Sequence, residues 1–323
     1  MNRTSRHRAI SLGLALFILA AVFSGEAKVA QLLYVVNQDD STVEVIDTST
    51  HALVATLPVA KGPATIAAAP NGRKLYITHP ESGKLTVLDG ASLTPPRVVD
   101  IKGTPFGVAV APDGRVFVSD WQRNVLTVLD GTTLAPIAEI PVGRSPAHVA
   151  IAPLGGRVFV ANREGDSVSV IDMKALHVIA TVPVGHAPFA LTVSPGGDRL
   201  YVANVQSSDL SVLGAETLET LDTVKVGSMP YGVAVTPNSE RVFITNQQSG
   251  SVSVMDAEAL VVTYKTKVGG YPEGVVIEPD GSKAYVANWA SGDISVLNGE
   301  TGQELRRIKA SSGSRALAIV PAG

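Results

Sequence analysis

Tyr34-Val-Val-Asn37, Tyr76-Ile-Thr-His79, Phe117-Val-Ser-Asp120, Phe159-Val-Ala-Asn162, Tyr201-Val-Ala-Asn204, Phe243-Ile-Thr-Asn246 and Tyr285-Val-Ala-Asn288 are seven versions of one short segment. Their first residues stand 42, 41, 42, 42, 42 and 42 positions apart. A fixed period of that length marks a repeat architecture in which each unit buries its apolar face against the next. The single 41 falls in a polar turn, where Pro112-Asp113-Gly114-Arg115-Val116 is one residue shorter than Pro70-Asn71-Gly72-Arg73-Lys74-Leu75. Turns tolerate deletions because few contacts depend on them.

Working outward from the segment, each repeat reads as four strands. A Gly/Pro loop such as Gly227-Ser-Met-Pro230 leads into a first strand, Tyr231-Gly-Val-Ala-Val-Thr-Pro237. A polar turn leads to the second, Val242-Phe-Ile-Thr-Asn246, and a Gly/Ser/Asp loop to the third, Ser251-Val-Ser-Val-Met-Asp256. The fourth ends in a stretch like Thr181-Val-Pro-Val184. These runs are rich in Val, Ile, Tyr, Phe and Thr, are bounded by turn residues, and carry no sustained helical period. The expected fold is all-β: a seven-bladed β-propeller with four antiparallel strands per blade. The first repeat segment, from Leu32, lacks a first strand of its own, and Arg315-Ala-Leu-Ala-Ile-Val-Pro321 is a first strand with nothing after it. Together they make a seventh blade of one C-terminal and three N-terminal strands, which removes the two open edges of a linear stack.

Composition agrees with a packed single domain over residues 28–323. Hydrophobic residues make up 45% and charged residues 17%, and the 30 Gly and 20 Pro suit a turn-rich fold. The formal charge of −3 offers no concentrated basic surface, so nucleic acid is an unlikely partner. Arg3, Arg6 and Arg8, the apolar run from Ile10 to Phe23 and the small-residue stretch ending at Ala27 follow the order of a secretory signal peptide. Residues 1–27 are therefore expected to be removed, leaving a monomer with no transmembrane segment in the periplasm, at the cell surface or secreted. There is no cysteine, which excludes covalent haem, a lipoprotein anchor, iron–sulfur ligation and disulfides. No cofactor is expected.

Tyr201-Val-Ala-Asn204, the third strand Ser167-Val-Ser-Val-Ile-Asp172 and the Pro-x-x-Val-Ala-Val-x-Pro first strand resemble the YVTN-repeat β-propeller family over roughly residues 31–321. Ser314 and Gly214 depart from the pattern, where other repeats have Pro and Asp or Asn. The resemblance implies an extracytoplasmic seven-bladed propeller. Similar propellers serve as surface proteins, binding modules, lactonases and partners of periplasmic redox systems, so fold alone does not choose among them.

The loops before the first strand and after the second share one end of every blade and surround one mouth of the channel. Residues there that depart from the repeat are the informative ones. Just after the loop proline stand Phe106, Phe189, Tyr231 and Glu273, with Arg315 in the last strand; one position on stands His148. The preceding loops add Arg144 and His186, and the loops after the second strand add Trp121, Arg163 and Trp289. This mixture suits a small anionic or aromatic ligand, or a protein partner. The recurrent Asn of the segment is expected to bond the adjoining loop backbone, while His79 and Asp120, which replace it, are candidates for a ligand. Asp47, Asp89, Asp130, Asp172 and Asp256 are expected to cap turns. His148 and His186 lack a third metal ligand at recognisable spacing, and no metal site is expected.

The leading functional expectation is a non-enzymatic exported binding propeller. One alternative is a lactonase or lyase acting on a small acidic substrate, with His148 or Glu273 moving the proton and Arg144 or Arg315 holding the carboxylate. Another is an accessory to a periplasmic quinoprotein or cytochrome system, the cofactor residing in the partner.

Overall fold

The computed structural model describes residues 31–90, 93–154 and 156–321. The expected signal segment lies outside them. Among the described residues no helix is long and apolar enough to cross a membrane.

Seven four-stranded antiparallel sheets form the ring. Blades 1 to 6 follow the chain, each starting on its innermost strand: Ile66–Ala68, Pro105–Val110, Pro146–Ile151, Pro188–Val193, Pro230–Val235 and Pro272–Ile277. Blade 7 is composite: Ser314–Pro321 is its inner strand, followed outward by Gln31–Asn37, Thr42–Asp47 and Leu53–Pro58. The inner strand Ser314–Pro321 packs on those of blades 6 and 1, so the ring is closed as the repeat predicts.

The aromatic residue that opens each segment is the keystone between blades. Tyr34, Tyr76, Phe117, Phe159, Tyr201, Phe243 and Tyr285 are all fully buried. Where it is Tyr, the hydroxyl can also bond the neighbouring blade: Tyr34 donates to the Gly90 carbonyl (2.9 Å) and Tyr76 to that of Gly131 (2.8 Å). The recurrent Asn is structural. Asn162, Asn204, Asn246 and Asn288 donate to third-strand Ser or Asp side chains, and the Asn246 amide oxygen accepts from the Gly227 backbone N–H at 2.8 Å. The expected bond to loop backbone is thus one part of a network made chiefly with side chains. His79 does the same work, its Nε2 2.7 Å from Thr86 Oγ1, and Asp120 accepts from the backbone N–H groups of Gln122 and Arg123. Asp47, Asp130, Asp172 and Asp256 each accept two backbone N–H bonds from the turn that follows.

One irregularity positions the site. Just after the loop proline, the inner strands of blades 2 to 6 shift register against the second strand, as between Pro105 and Val108. In blade 7, Asn37 faces Ser314 and Val36 faces Ala316, leaving Arg315 as the extra residue. A bulge of this kind re-aims side chains and ends regular pairing. It turns Phe106, His148, Phe189, Tyr231, Glu273 and Arg315 towards the channel mouth.

Candidate functional site

Hydroxyl staples hold the bulges in place. Thr78 Oγ1 donates to the Phe106 carbonyl (2.5 Å), Ser119 Oγ to that of Ala147 (2.6 Å) and Thr245 Oγ1 to that of Glu273 (2.6 Å). Each staple runs from one blade to the next, so the mouth residues sit on a rigid hoop rather than on free loops. Gly107 and Gly232 follow the aromatic residues there because a Cβ would stand 2.2 Å from the carbonyl oxygens of Ala147 and Glu273.

An off-centre pocket of about 550 Å³ opens on this face. Its walls come from three repeat positions, one of them the residue before the loop proline, Thr104 and Met229. Phe106, Phe189, Tyr231 and Arg315 are the residues after the loop proline or its equivalent, and Trp121, Arg163, Val205 and Gln247 follow the segments of blades 2, 3, 4 and 5. The rings form one cluster: Phe106 lies 5.1 Å from Trp121 and 5.5 Å from Phe189, and Phe189 lies 4.1 Å from Tyr231. Arg163 stands over Trp121 and Arg315 over Phe106, at 5.8 and 5.7 Å from the ring centres. Phe106 and Phe189 are nearly buried while Trp121 and Tyr231 stay partly open, and aromatic clusters of this kind stack on flat ligands.

Beneath the pocket lies a cavity of about 40 Å³ bounded by Thr65, Phe106, His148, Tyr231, Glu273 and Arg315. Arg315 organises it. Its Nη2 donates to the Tyr231 hydroxyl (2.7 Å), its Nη1 to Gln38 Oε1 (2.8 Å), and its Nε is 3.1 Å from Glu273 Oε2. Glu273 Oε1 accepts from Gln247 Nε2 at 2.7 Å, whereas Oε2 receives no aligned hydrogen bond. Burial raises the Glu273 carboxyl pKa, with Arg315 and Gln247 pulling the other way. Burial, then the Arg315 charge, pushes the His148 imidazole down to about 4. His148 is therefore neutral at physiological pH, and its ring lies 5.2 Å from Phe189.

The structure brings together Phe106, Trp121, Arg163, Phe189, Tyr231 and Arg315 in the pocket, with His148 and Glu273 below. It does not bring Arg144, His186 or Trp289 to the same place. Arg144 donates to the Glu164 carbonyl, and exposed His186 pairs with Asp166 at 2.9 Å. Trp289 stacks edge-on with Tyr271 instead. Sequence reasoning missed Gln38, Val205, Met229 and Gln247. The first, second and fourth occupy the repeat position of Trp121 and Arg163, so positional equivalence was the available signal. Among the described residues no group of three or more His, Cys, Asp or Glu is placed to hold a metal ion.

A family model described as "Lactonase, 7-bladed beta-propeller" matches residues 74–217, less than half of the chain. No match is found among curated proteins. Solved structures similar to this one include hydrazine synthase from Kuenenia stuttgartiensis, with 20% identity and a TM-score of 0.74, the match covering 83% of this chain and 92% of that one. A functionally unknown protein from Desulfotomaculum acetoxidans has 15% identity and a TM-score of 0.79, over 90% of this chain and 99% of its own. The dihydro-heme d1 dehydrogenase NirN, in complex with DHE, has 16% identity and a TM-score of 0.67, over 90% and 75%. At these identities the likeness establishes the propeller fold.

Proposed function

We propose that the chain is a binding propeller that seats a small molecule with a flat, unsaturated body in the mouth pocket. The observation that carries this reading is the cluster of Phe106, Trp121, Phe189 and Tyr231, drawn from three blades into one recess with a guanidinium over two of the rings. A recess of that size, with four aromatic rings, two aliphatic side chains and four polar ones in its lining, has the form of a small-molecule site. The leader-like segment at residues 1–27 and the YVTN-like repeats favour an extracytoplasmic ligand. Titrating a panel of aromatic compounds against Trp121 fluorescence tests the reading, using a Trp289→Phe background to leave one reporter. Phe189→Ala is expected to weaken binding by about tenfold or more, because it removes a buried ring from the wall. Arg144→Ala and His186→Ala are expected to bind as wild type. If no compound perturbs Trp121, or Phe189→Ala binds normally, the pocket is not the site.

The family match favours a second, hydrolytic reading, because residues 74–217 include Phe106, Trp121, His148, Arg163 and Phe189. Neutral His148 would then accept the proton. Turnover of a lactone panel that disappears in His148→Gln supports it; the absence of turnover, with or without divalent metal, rules it out.

A further inference from the structure

We propose that the pocket's ligand is a neutral, carbonyl-bearing aromatic molecule, and that its oxygen is read by the Tyr231 hydroxyl rather than by either arginine; this rests on the pocket reading above. A guanidinium can only donate, so the 2.7 Å contact from Arg315 Nη2 makes the Tyr231 oxygen an acceptor. The phenol keeps its own proton, because burial raises its pKa above the ordinary tyrosine value. Among the described residues no acceptor is seen for that proton. Tyr231 borders both the pocket and the cavity beneath it, with its ring 4.1 Å from Phe189. A flat ligand seated in the recess against Trp121 would bring its edge to this hydroxyl. Donation from Arg315 polarises the phenol O–H and makes it a stronger donor than an isolated tyrosine.

The charge distribution points to a neutral partner. Arg315 is already paired with Glu273, which is 5% exposed, and Arg163 is paired with Glu164. Each guanidinium beside the pocket therefore already has a carboxylate partner, buried Glu273 for Arg315 and solvent-exposed Glu164 for Arg163. A ligand carboxylate loses far more on leaving water than a ketone or amide oxygen does, and no net positive charge waits to offset that loss. Arg315 is accordingly a positioning residue: it fixes the phenol and its proton.

The test titrates the full chain, as wild type and as Tyr231→Phe, with 2-naphthamide, 2-naphthoate and naphthalene. In the wild type the amide is expected to bind tightest, exceeding naphthalene by about 5- to 10-fold for one net hydrogen bond, with the carboxylate weaker than the amide at low and high salt. Tyr231→Phe is expected to erase the advantage of the amide over naphthalene. The inference is overturned if naphthoate binds more tightly than naphthamide, or if Tyr231→Phe keeps the preference for the amide. Equal binding of amide and hydrocarbon also overturns it while leaving the aromatic pocket standing; no binding by any of the three removes both. The wild-type ranking decides the question of charge even where the variant does not fold.

Discussion

Replacing His79 by Asn should make the propeller markedly more resistant to acid. His79 is fully buried at the position where most blades carry Asn, with Nε2 bonded to Thr86 and the backbone of Ala60 and Lys61 beside the ring. Burial lowers its pKa from 6.5 to about 4, outweighing the backbone of Lys61 and Ala60, which favours the charged ring, with the Lys84 charge adding a smaller lowering. Because the folded value is depressed, the unfolded chain binds a proton between those two values and the folded chain does not. Stability from this residue is complete above pH 6.5 and falls as the pH drops towards 4. A gap of about 2.5 units corresponds to roughly 3 kcal/mol in full, and to about 2 kcal/mol at pH 5. An Asn at 79 has nothing to titrate. Its amide can donate to Thr86 as Asn162 does to Ser169, seven residues on at 2.9 Å. Urea unfolding followed by fluorescence at pH 8, 6 and 5 reads the difference. The two proteins should lie within about 1 kcal/mol at pH 8 and diverge by about 2 kcal/mol at pH 5, the variant being the more stable. Parallel wild-type and His79→Asn stabilities from pH 8 to 5 would show that the imidazole protonates in place, and would refute the argument.

Two further substitutions probe the scaffold. Glu44 stands where the other blades have Ser or Thr, and its carboxylate accepts from the Ser311 N–H (3.0 Å) and hydroxyl (2.8 Å), tying the N-terminal strands to the closing loop. Glu44→Ala should cost about 2–3 kcal/mol and raise amide hydrogen exchange in Gln31–Asn37; unchanged exchange there would mean the latch is not limiting. Gly227→Ala should cost about 2 kcal/mol, read as a lowered thermal midpoint, because the new Cβ would stand 2.5 Å from Asn246 Cγ and 2.6 Å from its Cβ. A wild-type midpoint would show that the Asn network yields readily.

The architecture was legible because it is written seven times. A period, a strand pattern and the orphaned strands at Leu32 and Arg315 lead directly to a closed ring. The site was half legible, and the reason is radial. The position after the loop proline or its equivalent is turned by the bulge in blades 2 to 7, so an unusual residue such as Phe106, Phe189, Tyr231 or Arg315 lands in the mouth. Arg144 and His186 lie two residues before the proline, in loop backbone that leads away from the axis, and local partners at Glu164 and Asp166 claim them. Sequence distance from the proline does not reveal that change of direction. Pairings between blades were hidden for another reason: Arg315 with Gln38, and Glu273 with Gln247, join residues whose proximity only ring closure creates.

Because the seventh blade is sealed by Ser314–Pro321, Arg315 is made after every other residue that lines the pocket, and it is also the group that orients Tyr231 and balances Glu273. A nascent chain with six finished blades already has its aromatic walls but no guanidinium behind them. Such a chain presents a recess with a loose phenol and an uncompensated buried carboxylate. The order of synthesis thus orders the proposed site as well, since a chain cut before Arg315 should hold the proposed ligand less well than one that reaches it.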